Sequence, residues 1–429
     1  MRSSASFGVS AIADPTAGSV DEIRRTELDN GTIVVSERIA GVRSAAVGVW
    51  VRHGGAHERD ETEAGSSHLL EHMVFKGTER RTAAEIALAL ERLGGSLDAY
   101  TTREHTAYQA RVLDEHFPDA IDVLSDLVLA PRLDAGDLDL EREVVLEEIA
   151  QVEDTPDDLV FELHADRLWE GHPYGRPILG TSESVSSMTV DTLRDVHGRA
   201  YTGRNLVVAV AGNVDHDEVV ERAVSLFGGT PRGSRIEDVA VPGRSRRGFE
   251  AVERGSAQTH LVFATDVPEH AHPDRYTHVL LSAALGGGMS SRLFQKVREG
   301  LGLCYSVFSF QSFYRARGMA GVYVGTRPAT ARRAQEAICA ELDRLSENGL
   351  GADELEDVRR QVKGQIMLSL ESPGSRLHRL ASLELHDRPF VGLDELLGRI
   401  DAVGLDDVRR VARQWYAASE HFTLALGPA

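Results

Sequence analysis

The chain has 429 residues, 42% of them hydrophobic and 27% charged, with a formal net charge of −20. That length exceeds one ordinary core, so two domains of about 200 residues are expected. The acidic balance argues against nucleic acid or anionic membrane as partner, since both select a basic face. No apolar run approaches the roughly 18 residues of a membrane helix.

Residues 1–24 carry early acids and lack the apolar stretch of a secretory signal, so they read as a short disordered lead. Cys304 and Cys339 are the only cysteines. They support no disulfide framework and suggest a reducing compartment, with the cytoplasm as the expected location. Strand-like runs follow at 32–37 and 45–52.

Next comes His68-Leu69-Leu70-Glu71-His72. On a helix, positions i and i+4 share a face about 5–6 Å apart at Cβ. Two imidazoles so placed can converge on one zinc ion at about 2.0–2.1 Å. Glu71 stays near that face without being forced onto the metal, where a general base must sit. The pattern is the zincin motif read backwards. Gly65-Ser66-Ser67 offers helix-capping chemistry just upstream, and Leu69, Leu70, Met73 and Val74 supply an apolar face.

Two histidines fix only half of a tetrahedral site. A strand pair at 97–101 and 106–112 leads to helices at 118–129 and 137–153. In the second helix Leu138, Val145 and Ile149 recur at helical spacing. Glu141 and Glu148 lie seven apart, two turns, and share a face. A glutamate from this helix completes a His, His, Glu set with water in the fourth place. Spacing alone leaves Glu141, Glu143, Glu147 and Glu148 as alternatives.

After a strand at 206–211, residues 229–247 are rich in Gly, Pro and Arg without periodicity and read as a linker. The second half repeats the plan of the first. Strands at 251–253 and 259–264 precede a strand pair at 306–313 and 318–325, helices at 329–347 and 352–369, and a closing strand at 422–426. LDAGDL at 133–138 echoes LGADEL at 350–355. The expected fold is therefore α+β: two homologous α/β-sandwich halves, 25–228 and 248–429, forming a divergent tandem repeat. The second half has GGGMSSRL at 286–293 where the first has its histidine motif.

HLLEH, FKGT (75–78), ERLGGSLDAYTTREHTAY (91–108), EREVVLEEI (141–149) and HPYGRPILGT (172–181) together resemble the pitrilysin and insulinase family of zinc metallopeptidases. Within it the mitochondrial processing peptidase β-subunit and its bacterial relatives are the nearest likeness. The resemblance implies that His68, His72 and Glu148 hold one Zn2+ per subunit and that Glu71 is the base. Glu141 matches a further carboxylate that supports the ligands. It also implies two halves closing around a peptide chamber, with Arg298 and Tyr305 of the second half serving the reaction. The strand at Asp98, Ala99 and Tyr100 matches the edge that pairs with substrate backbone. The usual residue at position 98 is asparagine, so the aspartate is a departure. Asp158 and Glu162 match carboxylates that hold a substrate arginine.

The expected function is thus a zinc endopeptidase acting on peptides or unfolded segments, with a preference for basic ones. Bacterial relatives of this length pair two chains, so a homodimer is expected. The alternative is a non-catalytic partner subunit of the same fold, which has no need of an intact histidine motif together with Glu148.

Overall fold

The structure, a computed structural model, describes residues 23–428. Most of the expected lead, residues 1–22, lies outside the described residues, while Ile23 and Arg24 open the first strand.

Two compact units are formed, and neither is a contiguous half of the chain. The first takes in the chain up to Ile149, then Pro177–Glu237 and Ser369–Phe390; the second takes in Ala150–Arg176, Asp238–Leu368 and Val391–Ala429. The crossing at Glu237 falls inside the segment read as a linker, and no helix or strand forms between Phe227 and Gly248. Each unit also draws one helix from the other half of the sequence.

In the first unit six strands, β1 (Ile23–Glu27), β2 (Ile33–Arg38), β3 (Ser44–Val51), β4 (Ser96–Thr101), β5 (Thr106–Leu113) and β6 (Leu206–Gly212), make one sheet in the order β1-β2-β6-β3-β5-β4. β2 and β6 run parallel and the other neighbours antiparallel. β3 (SAAVGVWV) and β6 (LVVAVAG) are apolar almost throughout because both faces of the sheet are covered. On one face Val47, Val49, Val208 and Val210 pack with Leu69 and Met73 of helix Ser66–Val74 and with Leu124 and Leu127 of helix Phe117–Leu129.

The other face is closed by helix Pro373–Leu385, whose Leu377, Leu380, Ala381 and Leu385 meet Ile33, Val35, Ala46 and Val207. Polar ties fix it there. Arg376 pairs with buried Glu37 at 2.6 Å, and Arg25 with Glu384 at 2.8 Å. The consequence for function lies at β4, which among the described residues pairs only with β5 and forms an open edge. Strand alternation turns Leu97, Ala99 and Thr101 to one face and Ser96, Asp98 and Tyr100 to the other.

The second unit repeats the scheme with β7 (Gly248–Glu253), β8 (Thr259–Val267), β9 (Cys304–Phe313), β10 (Gly318–Thr326) and β11 (Phe422–Gly427), ordered β7-β11-β8-β10-β9. Leu261, Phe263, Val322 and Val324 pack with Leu281, Leu285, Ile338 and Leu342 of helices Arg275–Gly286 and Ala331–Asn348. Helix Pro156–Leu168 belongs to this unit: Phe161 stacks on Tyr323 at 5.4 Å, and the buried His164 ring bonds the Phe422 carbonyl at 2.9 Å. Among the described residues no helix is long and apolar enough to cross a membrane.

Candidate metal centre

Helix Ser66–Val74 buries Leu69, Leu70, Met73 and Val74 and leaves His68 and His72 together on its remaining face, ring centroids 4.7 Å apart. Its start differs from the sequence expectation. Ser66 and Ser67 lie within the helix and do not cap it. The capping group is Glu58, whose Oε2 accepts from Gly65 N at 3.0 Å and whose Oε1 accepts from Ser67 N at 2.9 Å. A charged carboxylate with two oxygens satisfies two orphan donors at once, and the positive end of the helix favours it. Gly65 has φ +85°, and a Cβ there would lie 2.5 Å from the Leu179 carbonyl oxygen, so only glycine fits.

Helix Ala135–Asp154 brings the third candidate ligand. Leu138, Glu141, Val145 and Ile149 are buried along one stripe, Glu148 is half-buried at its edge, and Glu143 and Glu147 are exposed. Glu148 Oε2 lies 3.7 Å from Nε2 of His68 and 3.7 Å from Nε2 of His72. The three ligand atoms fall within 4.8 Å of one another, the one such group of His, Cys, Asp or Glu among the described residues. Three donors, each about 2.0–2.2 Å from a central ion, require separations of this order. Nitrogen and carboxylate donors with a fourth position left open suit zinc. Burial pulls the His68 pKa down to about 4, with His72 adding to the effect, so His68 is in the neutral form that ligates.

Behind the ligands, Nδ1 of His72 donates to Glu141 Oε2 at 3.1 Å. That bond fixes the tautomer in which Nε2 is bare and faces Glu148. The other oxygen of Glu141, Oε1, meets the Lys76 ammonium at 2.5 Å. Beside the cluster, Thr101 of β4 donates its hydroxyl to Glu71 Oε2 at 2.5 Å. Burial pushes the Glu71 pKa up, and the Thr101 bond opposes that rise.

The residues of β4 divide between its faces. Ala99 is on the side of Thr101. Asp98 is exposed, and its Oδ1 accepts from the Ala99 backbone N at 3.0 Å. The Tyr100 hydroxyl lies 3.3 Å from Trp50 Nε1 and 3.3 Å from His378 Nδ1.

Four expected site residues belong to the second unit. Arg298 lies over the Phe294 ring at 4.4 Å and the Tyr305 ring at 5.1 Å, and Tyr305 is 82% exposed. Asp158 is exposed and Glu162 half-buried on helix Pro156–Leu168. The structure therefore brings His68, His72, Glu148, Glu141 and Glu71 together in the first unit and sets Arg298, Tyr305, Asp158 and Glu162 in the other.

Three contributors were not foreseen from the sequence. Glu58 caps from a turn with no periodic signal. Lys76 stands in the quoted FKGT run without an assigned role. Thr101 stands in the quoted edge strand, where period-2 alternation already places it on the face of Ala99.

The chain is similar to known proteins over most of its length. Residues 33–182 match the insulinase family, peptidase family M16, and residues 187–362 match the peptidase M16 inactive domain. The chain is 39% identical to an uncharacterized zinc protease of Streptomyces coelicolor, over 92% of this chain and 87% of that one. It is 39% identical to the uncharacterized zinc protease YmxG of Bacillus subtilis, over 94% of this chain and 98% of that one. A solved protease from Helicobacter pylori shares the fold at a TM-score of 0.89 and 22% identity, covering 95% of this chain and 100% of that chain.

Proposed function

Because the chain belongs to the insulinase family of peptidases, family M16, we propose that it is a zinc-dependent endopeptidase that hydrolyses peptides or unfolded segments and favours basic ones. The observation that carries this reading is the convergence of His68, His72 and Glu148 with Glu71 beside them. A zinc ion held by those three ligands supplies Lewis acidity, which makes water nucleophilic near pH 7.

The protein's own groups do the rest. Glu71 takes the proton from the attacking water and passes it to the nitrogen of the leaving amine. Thr101 holds Oε2 of that carboxylate and leaves Oε1 for the proton. The open edge of β4 at Asp98, Ala99 and Tyr100 pairs with the substrate backbone, an interaction that gives affinity without selecting particular side chains. Arg298 and Tyr305 donate to the oxygen that gains charge as the carbonyl is attacked. Asp158 and Glu162 pair with a substrate arginine near the scissile bond. Two copies of the chain associate, one zinc each, in the cytoplasm.

The deciding experiment compares wild type with Glu71→Gln on a library of basic and neutral peptides, with zinc measured in both. The amide preserves the shape beside the ligands but accepts no proton. Retained zinc with lost cleavage supports the reading; equal turnover by the two proteins rejects it. On the same library, Asp158→Asn with Glu162→Gln flattens the preference for arginine. Light scattering at micromolar concentration reports the pairing of copies.

A further inference from the structure

The FKGT run follows the histidine helix, and the reaction above leaves it without a part. Three of its four residues have plain structural tasks. The Phe75 ring lies 6.4 Å from Tyr108, Gly77 adopts φ +130°, and the Thr78 hydroxyl donates to buried Asp126 at 2.8 Å. Lys76 instead turns back toward the metal centre.

Its ammonium is 2.5 Å from Oε1 of Glu141, while Oε2 of the same carboxylate accepts from Nδ1 of His72 at 3.1 Å. Glu141 is 6% exposed, and no other partner reaches its Oε1 among the described residues. The two bonds therefore use the two oxygens separately, one for each neighbour. A carboxylate clamped at one oxygen keeps the other in a fixed direction. Released there, it turns about its last bond until the freed oxygen finds water.

We propose that Lys76 is a positioning residue of the metal centre: by anchoring Oε1 of Glu141 it keeps Oε2 on His72, and so keeps Nε2 of His72 facing the ion. The inference rests on His72 being a metal ligand, not on peptide cleavage. An ordinary ion pair beyond the end of a helix is the competing account. Such a pair, with Lys76 36% exposed against a buried carboxylate, acts on folding stability and gives no reason for metal affinity to fall. Loss of a group that orients a ligand costs about 10–100-fold in metal affinity.

The test titrates zinc alone into full-length apoprotein against a chromophoric chelator of known affinity. Wild type, Lys76→Met, Lys76→Arg, Glu141→Gln and the Lys76→Met/Glu141→Gln double variant are compared. Lys76→Met weakens zinc binding by about 10–100-fold, Lys76→Arg recovers most of it, and the double variant is no weaker than Glu141→Gln alone. Unchanged affinity in Lys76→Met overturns the proposal, as do losses that multiply in the double variant. Should Lys76→Met melt early, Lys76→Gln, which keeps most of the length of the side chain but not its charge, replaces it in the same comparison. A wild type that binds zinc but cuts no peptide refutes the proposed activity and leaves this result standing; one that binds no zinc refutes both.

Discussion

The hydroxyl of Thr101 donates to Oε2 of Glu71 at 2.5 Å, joining the open edge strand to the histidine helix at the carboxylate that serves as base in the proposed reaction. A substrate strand added to β4 would thus press on the strand that aims the base. Hydrogen bonds to charged groups are worth roughly 1.5–3 kcal/mol. Thr101→Val is expected to lower kcat by about 10–100-fold on that scale, with KM and zinc content little changed, and Thr101→Ser to keep most of the activity. Steady-state kinetics with metal analysis checks this. A Val variant with wild-type kcat would show that Glu71 needs no such support.

Tyr305 presents its hydroxyl to solvent and packs little, being 82% exposed. Its removal should leave folding alone. If it donates to the developing oxyanion, Tyr305→Phe lowers turnover by about 10²–10³, with the melting temperature and zinc content of wild type. Arg298→Ala should raise KM as well. Full activity in both variants would remove the second unit from the chemistry.

Glu58 is 3% exposed and satisfies two backbone donors at the start of the histidine helix. Loss of a capping side chain costs about 0.5–2 kcal/mol, and orphaned buried donors add to it. Glu58→Ala is expected to lower the melting temperature and to weaken zinc binding, because the helix that carries both histidines frays. Glu58→Gln keeps an acceptor and should suffer less. Equal melting of the three proteins would mean that water replaces the cap.

Three buried histidines of the second unit set an acid limit. Burial holds His164, His278 and His421 at about 4, below the usual 6.5. Each is neutral in the folded state, so between pH 6.5 and 4 the unfolded chain binds more protons. Stability is then full above about 6.5 and falls as the pH drops toward 4. At pH 5 the loss is on the order of 2 kcal/mol for each, a large share of a total of roughly 5–15 kcal/mol. Urea unfolding followed at pH 7.5, 6 and 5 should show the midpoint falling steadily. A flat midpoint over that range would contradict neutral burial.

Much of this was legible in the chain. The four-residue spacing of His68 and His72 placed both rings on one helical face, and the strand read at 97–101 forms one residue longer, at Ser96–Thr101, though its place at the edge was implied only by the family resemblance. The choice among four glutamates was the hard step, because spacing says which residues share a face but not which face is buried. Leu138, Glu141, Val145 and Glu148 in fact follow a 3-4-3 stripe, with Glu143 and Glu147 off it. Extending the apolar pattern to include acids would have separated them. Glu58 was not legible, since a cap reaching back from a turn depends on tertiary approach. Nor was the exchange of helices, because a tandem repeat reads as two contiguous halves and the helices at 156–168 and 373–385 match the wrong sheet in sequence order.

That exchange bears on how the protein is made. Leu377, Leu380, Ala381 and Leu385 cover the apolar face of a sheet whose last strand ends at Gly212. At ~5–20 residues per second a ribosome leaves that face bare for on the order of ten seconds or more. A truncated product ending near residue 240 would carry all six strands of the first sheet but leave one apolar face uncovered. Gene fission at the linker is therefore a poor route to a two-chain version of this protein.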